Sequence, residues 1–171
     1  METLFGIKGT CELVLTDIWM QKTKRLVIPN MITNNGLNKL AKAILYAAGS
    51  SNYMGAPYIA VGEGTGLSPN PSPTDTILAN ELGAGSRSIV LSENLTLQNN
   101  IAQFTALFSV GIGNATGLNE INEAGLFWDD GASGTKDTGT LVSRVKIEPS
   151  LAKDKYKTLA VHWYYELSRK F

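Results

Sequence analysis

Few residues in this chain are of types that carry chemistry, and their spacing decides what each can do. Gly62-Glu-Gly-Thr-Gly66 comes nearest to a phosphate-cradling loop. Such a loop needs G-x-G-x-x-G or G-x-x-x-x-G-K-[ST], with backbone N–H groups and a helix N-terminus aimed at the anion. Here the glycines run G-x-G-x-G, no lysine follows, Glu63 opposes an anion, and Ser68-Pro-Asn-Pro does not open a helix. The segment reads as a tight turn after a strand, its glycines supplying positive φ. His162 is the sole histidine and Cys11 the sole cysteine, which excludes an internal disulfide and leaves a tetrahedral zinc site short of ligands. A histidine-activated nucleophile needs partners brought within hydrogen-bond reach by the fold, and no G-x-S-x-G elbow occurs. His162 therefore reads as structural, and Cys11, on an apolar strand, as a buried inert thiol.

Asp129-Asp130-Gly131 offers oxygen ligands for calcium but lacks the alternating acidic spacing and closing Glu of an EF-hand loop. It reads as a solvated hairpin turn. Glu120 and Glu123 have no evident acid/base partner in the sequence. The faces of Trp19, Trp128 and Trp163 can stack on pyranose rings, but Trp128 and Trp163 fall in alternating strands where core packing is the commoner role. Trp19, in a polar break between strands, is the candidate for an exposed glycan contact. Asn94-Leu-Thr and Asn114-Ala-Thr match the glycosylation sequon by chance, because Met1-Glu-Thr-Leu-Phe-Gly has neither the basic nor the apolar region of a secretory signal. No cofactor, metal or catalytic residue is expected.

The elements that must position these residues are mostly strands. At 171 residues, with 43% hydrophobic and 18% charged content, the chain is one globular domain. Fifteen basic residues balance fifteen acidic ones, so no long-range field recruits nucleic acid or an anionic membrane. The longest apolar stretches are too short to span a bilayer as a helix. A net charge of +0 also gives little protection against self-association.

The β-rich runs 10–18 and 24–28, separated by Gln21-Lys-Thr, predict an N-terminal hairpin ended by Pro29. Thr33, Asn34 and Asn35 are possible N-caps for a helix at 36–48. Leu37, Leu40, Ala41, Ile44, Leu45 and Ala48 form its apolar stripe, and Gly49 its stop. Strands are expected at 57–61, 87–96, 101–110, 120–128, 141–147 and 158–167, with a strand or short helix at 76–82 and a stiff Pro69/Pro71/Pro73 connection before it. In the last strand Leu159, Val161, Trp163, Tyr165 and Leu167 point one way and Ala160, His162, Tyr164 and Glu166 the other. The predicted fold class is mainly β (α+β): an antiparallel β-sandwich with one packed α-helix near residues 36–48 and an N-terminal hairpin. The organisation is an arm over residues 1–9 and a single β-sandwich domain over 10–171.

A set of segments in fixed order carries a resemblance. Ile32-Thr-Asn-Asn-Gly-Leu-Asn-Lys-Leu-Ala is followed by Tyr58-Ile-Ala-Val-Gly, Asp75-Thr-Ile-Leu-Ala-Asn-Glu-Leu and Glu120-Ile-Asn-Glu-Ala-Gly-Leu-Phe. Gly139-Thr-Leu-Val-Ser-Arg-Val and Leu159-Ala-Val-His-Trp then complete the set. Over roughly residues 30–167 this order resembles the tail-collar fibre module of tailed-bacteriophage structural proteins. The resemblance implies a non-enzymatic virion component, assembled in the cytoplasm of a host bacterium, with no catalytic residues to carry over. A fibre would continue into a shaft and tip, whereas this chain stops at Phe171 and adds the hairpin at 10–28. The implied role is a small accessory subunit, decorating the capsid or adapting the tail, baseplate or fibre. Its partners would be other virion proteins and further copies of itself, the trimer being the fibre-like arrangement. The arm, apolar at Leu4, Phe5 and Ile7, is the expected docking segment. The alternative is a carbohydrate-binding β-sandwich module for host-surface attachment, using Trp19.

Overall fold

The last strand illustrates how alternation becomes a two-layer fold. In β10 (Lys157–Lys170) Leu159, Val161, Trp163 and Tyr165 are buried, while Ala160, His162, Tyr164 and Glu166 are only half-buried. One face of the strand therefore packs on a second layer and the other meets solvent. A computed structural model describes residues 4–46, 55–64, 69–83, 85–115, 120–128 and 131–170. Its strands are β1 (Leu4–Asp17), β2 (Lys22–Pro29), β3 (Met31–Ile32), β4 (Tyr58–Gly64) and β5 (Arg87–Ile89), then β6 (Leu95–Gln98), β7 (Ile101–Phe108), β8 (Glu120–Phe127), β9 (Leu141–Leu151) and β10. They form two five-stranded antiparallel sheets, ordered β2-β1-β10-β7-β6 and β3-β9-β8-β4-β5. Cys11, Leu13, Phe108 and Trp163 from the first meet Ile59, Leu126, Val145 and Leu151 from the second in one apolar core. The fold is the expected β-sandwich with one helix. Among the described residues no helix is long and apolar enough to cross a membrane.

The helix α1 (Asn34–Tyr46) starts two residues earlier than expected, at a cap that also anchors it. Buried Thr33 accepts the Gly36 N–H at 2.9 Å and donates its hydroxyl to the Leu141 carbonyl at 2.6 Å. A Cβ at Gly36 would lie 1.9 Å from the Val142 carbonyl oxygen, so glycine lets the first turn rest on β9. The apolar stripe behaves less uniformly than its spacing predicts. Leu40 is half-buried, but Leu37 is exposed. The side chains of Ala41, Ile44 and Leu45, and all of Ala48 and Gly49, lie outside the described residues.

Three expectations need correction. Residues 4–9 of the expected arm are part of a strand: from Leu4 the chain is already β1, with Leu4 opposite Lys170 and Gly9 opposite Tyr165, while residues 1–3 lie outside the described residues. Alternating residues there satisfy their backbone groups on β10, which an arm would leave to water. The side chains of Leu4 and Phe5 lie outside the described residues, while Ile7 packs against the core. Residues 87–96 are not one strand. β5 belongs to one sheet and β6 to the other, and the chain crosses between them through a 3₁₀ turn at Ser92–Asn94. Residues 76–82 form neither strand nor helix, only a single bridge between Glu81 and Gly62, because the N–H groups of Ala79 and Asn80 are drawn to a carboxylate.

Candidate functional site

The acidic residues of the resembling segments converge in the structure. β4 and β8 pair antiparallel, with a bulge between Gly62 and Glu63, and residues 75–82 cross their ends. Glu123 on β8 is fully buried. Its carboxylate accepts the N–H of Ala79 at 3.1 Å and of Asn80 at 2.6 Å. Arg144 on β9 donates to the same carboxylate through Nε at 2.9 Å and Nη2 at 2.7 Å. Arg144 also reaches Asp75 at 2.8 Å, so one guanidinium ties both ends of the 75–82 crossing to the sheet. Gly62 belongs to this lock. A Cβ there would fall 2.6 Å from Glu123 Oε1 and 2.7 Å from the Asn80 carbonyl oxygen. Close approach, rather than the expected positive φ, requires glycine at this position; Thr65 and Gly66 lie outside the described residues.

A second buried pair sits beside it. Glu81 and Arg87 have fully buried side chains and meet at 2.6 Å through Nε and 2.9 Å through Nη2. The Glu81 carboxylate also accepts from Ser86 Oγ at 3.1 Å and the Asp137 N–H at 3.3 Å. Arg87 donates Nη1 to the Thr138 carbonyl at 2.6 Å, and its guanidinium carbon lies 4.0 Å from the centre of the Phe127 ring. Two carboxylates surrounded by donors in this way hold loops in place. The sequence displayed both glutamates, but their arginine partners come from other elements, and no spacing rule links them.

The remaining candidates are dispersed. His162 Nδ1 lies 2.9 Å from the Thr105 hydroxyl on β7, which also accepts from Gln103 Nε2 at 3.0 Å. Glu12 is opposite His162 in register, but its carboxylate is taken by Arg25 and by the Tyr164 hydroxyl at 3.2 Å. The Thr–His–Glu row thus lacks the contact that orients a base. Cys11 is fully buried, and burial first, then the charge of Glu12, push its thiol far above the usual range. Trp163 is core, and half-buried Trp128 stacks edge-on against Phe104 with centroids 5.4 Å apart. Those two rings, with Ile7, Leu40, Ala102, Tyr165 and Leu167, line an open apolar groove of about 150 Å³. Asp129 and Asp130 lie outside the described residues. Among the described residues no three His, Cys, Asp or Glu side chains are grouped to hold a metal.

Lys153 was not visible as special in the sequence. It is buried, and its Nζ donates to the carbonyls of Ser109 at 3.2 Å, Asp154 at 3.4 Å and Lys157 at 2.8 Å, and to Asn114 Oδ1 at 3.0 Å. Burial pulls its pKa down to about 8. It clamps the loop after β7 to the loop before β10.

Trp19, by contrast, is 75% exposed, at the tip of the β1–β2 hairpin between exposed Ile18 and Met20. Asp17 Oδ1 accepts the N–H groups of Trp19 at 3.0 Å and Met20 at 2.9 Å, which fixes the turn. Exposed Tyr156 is adjacent, its carbonyl accepting the Ile18 N–H at 3.3 Å. No protein-family model, curated protein or solved structure matches this chain.

Proposed function

We propose that this chain is a non-enzymatic structural component of a tailed-phage virion, a small accessory subunit that decorates the capsid or adapts the tail, baseplate or fibre. The observation that carries the reading is the hairpin tip. Ile18, Trp19 and Met20 are all exposed, on a turn whose backbone Asp17 already holds in place. A rigid apolar tip with an aromatic anchor loses little entropy on docking, which suits insertion into a pocket of a neighbouring virion protein. Two further features support the reading. The charged residues of the phage-like segments serve to lock the 75–82 crossing onto the sheet, and the net charge of +0 leaves self-association unopposed. Mass spectrometry of purified particles tests it. The chain should be present in the virion, and the double variant Trp19→Ala/Met20→Ser, supplied in place of the wild type, should be lost from it. Absence of the wild-type chain from the particles overturns the reading.

The same tip favours one other reading, a carbohydrate-binding module for host attachment, because Trp19 is exposed next to Ile18, whose N–H bonds the carbonyl of exposed Tyr156. Glycan-dependent quenching of tryptophan fluorescence, abolished by Trp19→Ala, would select it.

A further inference from the structure

We propose that the free edge of β6 pairs with the same edge of a second copy of this chain, extending the five-stranded sheet across a two-fold axis. The exposed edges of a β-sheet are templates for another strand, and stable folds blunt them with lysines, prolines or extreme shortness. Among the described residues, three of the four outermost strands carry such a device, and the part of β1 that β2 leaves uncovered, Leu4–Gly9, carries Lys8. β2 presents Lys22, Lys24 and Arg25 and ends at Pro29, β3 has two residues and β5 three. β6 reads Leu-Thr-Leu-Gln and carries none of these residues. It opens a stretch from Asn94 to Asn119 that contains no charged residue at all. A copy approaching β2 meets like charge, whereas a copy approaching β6 meets none. That difference selects the edge.

The backbone is arranged to receive a strand. Asn99 and Asn100 form the two-residue turn from β6 to β7, with Gln98 opposite Ile101 and Asn99 at φ 56°. The alternation of antiparallel bonding then aims the N–H and C=O of Leu97 away from β7. Leu95 and Leu97 share the inner face of the sheet with Phe104 and Ala102, yet Leu97 is 76% exposed. Antiparallel pairing of two β6 strands buries these leucines against their copies. The segment has only four residues, so the contact is smaller than the roughly 1,200–2,000 Å² of a stable interface. The pair should form at high concentration, or where a particle holds two copies side by side.

This inference deepens the assembly reading by naming a self-association surface, with two-fold symmetry in place of the trimer implied by the resemblance, and it can fail alone. Sedimentation over about a thousandfold range of concentration, reaching roughly millimolar, should show a monomer–dimer equilibrium for the wild type. Leu97→Lys and Leu97→Glu should each stay monomeric with an unchanged melting temperature. An equimolar mixture of the two should dimerise again, because the substituted side chains meet across the axis. A monomer throughout, a trimer, association undiminished by Leu97→Lys, or a mixture that stays monomeric overturns the pairing. None of these outcomes bears on whether the chain is found in purified particles.

Discussion

Glu123 is the residue that ties the 75–82 crossing to β8 and β9. It binds two backbone N–H groups and Arg144 from full burial, so its removal leaves the buried guanidinium with one carboxylate fewer and two amides without their acceptor. Glu123→Ala should cost about 3–5 kcal/mol by denaturant unfolding, the range for breaking a buried pair. A loss under about 1 kcal/mol would show that water replaces the carboxylate. Lys153 makes a prediction of opposite kind. Its folded pKa lies near 8, below its ordinary 10.5, so between those values the unfolded chain binds the extra proton. Stability should therefore rise relative to Lys153→Met as pH climbs from about 8 to 10.5, and stay level below 8. A flat difference would show that the four surrounding oxygens offset the lost hydration. Neither residue's role was legible in the sequence. Glu123 showed no partner there, and only long-range contacts, such as Arg144 onto Glu123 or Ser109 beneath Lys153, convert such charges into locks. Trp19 was legible, because a polar break between two β-rich runs leaves its central residue without a sheet to cover it.

Strands announced themselves wherever alternation was clean, as in β10, because period-two burial leaves a direct trace. The strand expected at 87–96 failed because a chain that changes sheets keeps its β-propensity through the crossing. Propensity reports a pleated half-buried surface and does not say which sheet provides it. The helix shows a similar limit. Its spacing identified one apolar stripe, but the depth of each residue depends on where β9 lies. Leu37→Ala should change stability by less than about 0.5 kcal/mol, and Leu40→Ala should fall between that and the 2–5 kcal/mol of a core leucine. Gly36→Ala should cost more than Leu37→Ala, by about 1–3 kcal/mol, because the added methyl meets the Val142 carbonyl. In the hairpin, Trp19→Ala should leave the melting temperature unchanged while weakening whatever docking the tip performs.

At the scale of the whole molecule, the pairing of β1 with β10 dominates. It runs from Leu4↔Lys170 to Asp17↔Lys157, and β1 and β10 hold the middle of their sheet. Removing residues 1–9 would strip β10 of six of its fourteen partners on β1, from Leu4 to Gly9. The thermal midpoint should fall by on the order of 5 °C or more. An unchanged midpoint would restore the view of this segment as an arm. The same feature has a bearing on biosynthesis. β1 receives β2 at once but waits for β10, so a nascent chain exposes that side of β1 until residue 170 has left the ribosome. The slowest contact to form is then also among the most central, so closure of this sheet waits for β10. Because Leu4 lies opposite Lys170, anything fused before the first strand and anything fused after the last leave the domain at the same corner. A short linker joining the two, with new ends opened in the Asn99–Asn100 turn, should yield a circular permutant that folds without waiting for its final strand.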